Sequence, residues 1–177
     1  MRSLILILFT FQIFLGQKAY SCSCNEYPRD TLYKISYELA DIIFLGELIN
    51  SEEEFSYKFK IYEVFKGEYT CDTITYKPMT NCSLYPYPGG LWLIYANFTQ
   101  GDIIDIDGCL ASINLTNPVI FPPPPPIPEG DNGEITLEQE IEKLKLDIKR
   151  ERRQREAITL LYAEIEKLRY LKKKVNR

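Results

Sequence analysis

The chain has 177 residues, 25 acidic and 21 basic side chains and no histidine, with a net charge of −4. Without histidine, Ser-His-Asp and Cys-His catalysis, the zinc-protease helix motif and most catalytic zinc sites are excluded, and the expectation is that the chain is not an enzyme and carries no cofactor. Charge is divided unevenly: residues 22–133 carry 16 acids against 6 bases and residues 134–177 carry 9 against 13, and an acidic exported chain of this kind is not expected to bind nucleic acid.

Residues 1–21 read as a signal peptide. Arg2 precedes an almost wholly apolar run from Leu4 to Leu15, and small Ala19 and Ser21 stand at the cleavage positions. The run is well short of the ~20 residues that span a bilayer, so cleavage and export are expected rather than stable membrane insertion. The expected location is extracellular, or periplasmic or cell-surface in a bacterium. Cleavage after Ser21 makes Cys22 the first residue of the mature chain, with Ser23 and Cys24 behind it. An α-amine and a carbonyl on one residue close a five-membered chelate ring around a metal ion with an open coordination position. Acylation of Cys22, the lipoprotein alternative, would abolish that amine.

Thr31 to Ala40, with Asp30 as N-cap, is expected to form a short helix. Strands follow at Asp41–Asn50, Glu54–Phe65, Thr70–Tyr76, Leu91–Phe98 and Asp102–Asp107; the second alternates Phe55, Tyr57, Phe59 and Ile61 with polar residues. Five strands in about seventy residues predict a small closed sheet. Tyr85-Pro86-Tyr87-Pro88 reads as an extended, polyproline-like loop. The fold class is therefore mainly β, a five-stranded closed barrel behind a short N-terminal helix.

Five cysteines in an exported chain predict disulfides with one thiol left over. Spacing alone does not determine the pairing. Cys22 and Cys24 are expected to pair with two separate distant partners rather than with each other. Cys71 is expected to be a buried strand thiol. Asn81, Asn97 and Asn114 each begin an N-x-Ser/Thr acceptor pattern.

Organisation changes at 118–133, where Pro122 to Pro126 and Pro128 make a stiff spacer. Residues 134–177 then read as one long charged helix opened by Thr136 and Gln139 as a capping box. Leu137, Ile141, Leu144 and Ile148 follow heptad spacing, and apolar residues resume from Ile158 to Leu171 after the charged cluster Arg150–Arg155. Such a helix would extend ~60 Å. Self-association through 137–171, a solvated single helix, and packing back on the barrel all stay open.

Taken together, Cys22-Ser23-Cys24, Ala40 to Gly46, Val64-Phe65-Lys66-Gly67, Cys82, Gly90 to Ala96 and Cys109 resemble the N-terminal domain of the tissue inhibitors of metalloproteinases, the netrin-like module with an OB-type barrel. The resemblance covers about Cys22 to Leu115, within a domain bounded at 22–117. It implies bridges from Cys22 to Cys82 and from Cys24 to Cys109, with Cys71 a free thiol. It also implies a function: inhibition of a partner zinc metalloproteinase, with the Cys22 amine and carbonyl on the protease's zinc, Ser23 directed at its primary specificity pocket, and Cys24 and the Cys82 loop beside them. The family's third N-terminal bridge and its six-cysteine C-terminal domain have no counterpart here. Netrin-like modules also serve as non-inhibitory binding or scaffolding units, and display by the C-terminal helix is the alternative.

Overall fold

A computed structural model describes residues 22–49, 56–87, 89–118 and 137–175. The segment 1–21 read as a signal peptide, Glu54 and Phe55, Pro88, the residues from 119 onwards read as a spacer, and Thr136, read as a cap, lie outside these residues. The described chain runs α1 (Arg29–Leu39), β1 (Ile42–Ile49), β2 (Tyr57–Lys66), β3 (Thr73–Tyr76), β4 (Leu91–Gln100), β5 (Ile103–Asp105), β6 (Ile113–Asn114) and α2 (Leu137–Val175).

The sheet closes on itself in the cyclic order β1-β2-β3-β5-β4-β1, with β3 and β5 parallel and the other pairs antiparallel. β6, a two-residue strand absent from the sequence expectation, pairs with β4 through Trp92–Asn114 and Leu93–Ile113. Alternation along a strand sends successive side chains to opposite faces. Ile42, Phe44, Trp92, Ile94 and Ala96 accordingly join Phe59, Ile74, Tyr76 and Ile104 inside the barrel. Their neighbours Ile43, Leu93 and Tyr95 point outward and are buried under the two helices. Strands covered on both faces read as unbroken apolar runs, which is why β1 and β4 lack polar alternation. At Gly46 the β1–β2 register shifts, and an added Cβ would lie 2.8 Å from the Lys60 carbonyl oxygen; only glycine permits that approach.

α1 begins two residues earlier than expected. Pro28, not Asp30, holds the N-cap position, and Asp30 lies in the first turn, where its charge favours the helix N-terminus. At the other end Lys66 donates from Nζ to the carbonyls of Tyr37 and Ala40, both at 2.6 Å, tying the end of β2 to the helix C-terminus. β3 starts at Thr73, later than expected, which leaves Cys71 in the β2–β3 loop as an exposed free thiol rather than a buried one.

α2 resolves its three alternatives by halves. Ala157, Leu161, Ile165 and Leu168 are buried, the last three in one cluster with Tyr33, Phe65, Leu93 and Tyr95. Arg169 clamps the Glu63 carboxylate from Nε and Nη2, the latter at 2.7 Å, and Lys172 donates to the Val64 carbonyl at 2.7 Å. The C-terminal half therefore packs back on the barrel, and a self-association seam along the whole of 137–171 is not available. The earlier half keeps Leu137, Ile141, Leu144 and Ile148 exposed.

One acid enters this helix–barrel contact. Glu164 is buried with Tyr95, whose hydroxyl is 3.5 Å from Oε1, and Lys167 at 3.4 Å from Oε2. Burial pushes its carboxyl above the usual range, and Lys167 only partly opposes this. The folded chain thus holds this proton more tightly than the unfolded one. Its contribution to stability is fully present below the ordinary carboxylate pKa and is lost as pH rises through the raised folded value. Glu164→Gln should therefore melt a few degrees above the parent at pH 7, with the gain shrinking towards pH 4, as read by thermal unfolding across that range.

Candidate functional site

Residues 22–28 form neither helix nor strand and are exposed throughout. What holds them is covalent. Cys22 is bridged to Cys82 and Cys24 to Cys109, with Cα separations of 5.0 and 5.3 Å. The sulfurs of Cys22 and Cys109 lie 3.9 Å apart, so the two bridges sit side by side. Ser23 is exposed between them.

The anchor points are rigid because their polar groups are mutually satisfied. Ser83 is buried; its Oγ accepts from the amides of Met79 and Thr80 at 3.0 Å and donates to Asp105 Oδ1 at 2.8 Å. The amide of Cys82 donates to Thr80 Oγ1 at 3.1 Å. Beyond β5, Asp107 Oδ1 accepts the Cys109 amide at 2.8 Å, while the Gly108 amide donates to the Cys82 carbonyl at 2.7 Å. A Cβ on Gly108 would come within 2.8 Å of that same oxygen. Both cysteine-bearing turns are therefore joined to each other by hydrogen bonds as well as through the bridged segment. Ser83, Asp105 and Gly108 support the site without a sequence motif that marks them, the Asp107-Gly108 turn pair being the available signal.

Next to the staples, the chain from Leu84 to Tyr87 is neither helix nor strand, with Pro86 buried and Tyr85 and Tyr87 exposed. Tyr76 donates its hydroxyl to the Leu84 carbonyl, and Tyr87 stands edge-on to Trp92 at 5.3 Å. Together with exposed Met79 and Tyr27, the segments joined by the bridges present aromatic and sulfur-bearing side chains to solvent. Such residues are enriched where proteins bind one another.

The sulfurs of Cys22, Cys24 and Cys109 lie within 4.8 Å of one another, a spacing that would suit a metal. All three are in disulfides, and a disulfide sulfur is not the thiolate that ligates metal. A groove of about 520 Å³ bounded by Tyr37, Lys66, Tyr69 and Lys172 is a weaker candidate. Both of its lysines donate to backbone carbonyls, Lys66 to Tyr37 and Ala40 and Lys172 to Val64.

The three acceptor asparagines separate clearly. Asn114 is 2% exposed, and its Oδ1 accepts from the amides of Thr116 and Asn117, so it supports a turn and is closed to glycosylation in the folded chain. Asn97 accepts from the Asp41 amide at 3.1 Å. Asn81 is exposed beside Cys82, where a glycan would crowd the stapled segment. No protein-family model matches this chain, and no curated protein matches it.

Proposed function

We propose that the protein is a secreted inhibitor of zinc metalloproteinases, built on a netrin-like module with an OB-type barrel, and that its mature chain starts at Cys22. The observation that carries this reading is the exposed Cys22-Ser23-Cys24 segment held by two adjacent bridges to interlocked turns. The cyclic strand order with its single parallel β3–β5 pair supports the OB-type assignment.

In this reading the chain acts through its own main chain. The Cys22 amine would release its proton to solvent and, with the Cys22 carbonyl, would take two coordination positions on the partner's zinc in place of its bound water. Ser23 enters the adjoining specificity pocket without filling it, so selectivity falls to Tyr85, Tyr87 and the rest of the Cys82 loop. The bridges remove the freedom the terminus would otherwise lose on docking.

A free α-amine titrates near pH ~8. Because binding displaces its proton, the inhibition constant should rise about tenfold for each unit of pH below that value, once corrected for the protease's own profile. A pH-independent inhibition constant between pH 5.5 and 8.5 would contradict the amine as ligand. The alternative, a non-inhibitory netrin-like binding module displayed by α2, draws on the exposed apolar stripe of its first half and predicts no inhibition at any pH.

A further inference from the structure

We infer that the first half of α2 pairs in parallel and in register with the same segment of a second copy of this chain. Leu137, Ile141, Leu144 and Ile148 are 72%, 43%, 61% and 53% exposed, large values for apolar side chains on a continuous helix. At 3.6 residues per turn they fall within about 60° of one another, the narrow stripe of a two-helix seam. Their mean direction lies about 150° round the helix from that of Ala157, Leu161, Glu164, Ile165 and Leu168, which face the barrel. The barrel is therefore on the far side, and a second copy can approach the stripe.

Charge complementarity identifies the occupant and its direction. With Ile141 and Ile148 at position a and Leu144 at d, Glu140 and Asp147 fall at g, and Lys145 and Arg152 at e. In a parallel pair each g residue meets the e residue of the next heptad across the seam. Glu140 then faces Lys145 of the other copy, Asp147 faces Arg152, and symmetry repeats both contacts. An antiparallel pair would instead oppose Glu140 to Asp147, acid against acid. Asp147 is only 3.6 Å from Arg150 within its own helix, an exposed pairing that is readily exchanged. The docked C-terminal half also extends the helix into this region, so its nucleation cost is already met. Four apolar layers form a short seam, which calls for dissociation in the micromolar range. This inference is independent of the inhibitory reading.

Sedimentation of the full mature chain in a Cys71→Ser background tests it, since the exposed thiol could otherwise cross-link copies. The parent should shift from monomer to dimer between about 1 and 100 µM. Ile141→Asp with Leu144→Asp should leave a monomer with an unchanged barrel near-UV spectrum. Because that variant could also fray the helix, a charge exchange accompanies it. Glu140→Lys with Asp147→Lys, and separately Lys145→Glu with Arg152→Glu, should each raise the midpoint at least about tenfold, and mixing the two should restore a heterodimer. A parent monomeric at about 300 µM, a dimer that persists in the Asp variant, or a mixture that fails to recover would overturn the inference.

Discussion

Replacing all four bridged cysteines with alanine is expected to unfold the chain at 25 °C, whereas removing either bridge alone should cost about 3.5 kcal/mol and leave a folded barrel. The difference lies in the topology of the closed rings. The bridges span 60 and 85 residues, but they share the short link from Cys22 to Cys24. With one bridge in place, the other closes a ring of only roughly 30 residues, from Cys22 to Cys24 and from Cys82 to Cys109, for about 3.5 kcal/mol of unfolded-chain entropy. With neither in place, the first to form closes the long ring and contributes about 4.5 kcal/mol. Together they amount to about 8 kcal/mol, comparable with the whole stability of an ordinary domain. Urea unfolding of the parent, the two single-bridge variants and the bridge-free chain reads all four values. A bridge-free chain that stays folded with a loss under about 4 kcal/mol would show that the barrel and α2 hold the fold by themselves.

If the mature chain starts at Cys22 as proposed, the effect on that terminus should outweigh the effect on the fold. Loss of Cys24–Cys109 leaves Cys22 attached by a single bridge at the end of an exposed, otherwise irregular segment. In the proposed inhibitor the segment would then swing about that bridge, and the ordering that two bridges had supplied would have to be met on docking instead.

Much of the barrel was legible because its strands obey simple period rules. Phe59 alternates with polar neighbours in β2, while Ile42 to Phe44 and Trp92 to Ala96 read as apolar runs, buried on both faces. Cys71 misled because Tyr69 and Ile74 flank it with apolar character, yet Cys71 lies in a bend just ahead of the strand that begins at Thr73. β6 is two residues long, too short for any periodicity to register. The docking of α2 was hidden by its composition. The covered face puts Ala157 and Glu164 beside Leu161, Ile165 and Leu168, so a small and a charged side chain break its apolar stripe, and Glu164 reads as solvent-facing until Tyr95 is brought against it by the fold. The supports of the stapled turns, Ser83 with Asp105 and Gly108 with Cys82, join residues more than twenty positions apart. No local pattern carries such contacts.

The most direct test of the central claim is the inhibition constant of the chain beginning at an unmodified Cys22, set against the same chain carrying one additional N-terminal alanine, on a panel of zinc metalloproteinases. Ser23 and both bridges are unchanged in the extended form, so only the Cys22 amine is converted to an amide. The account predicts nanomolar to micromolar inhibition by the first form and a loss of at least about 100-fold, some 2.7 kcal/mol, in the second. Equal potency of the two forms, or no inhibition by the form that begins at Cys22, would contradict it.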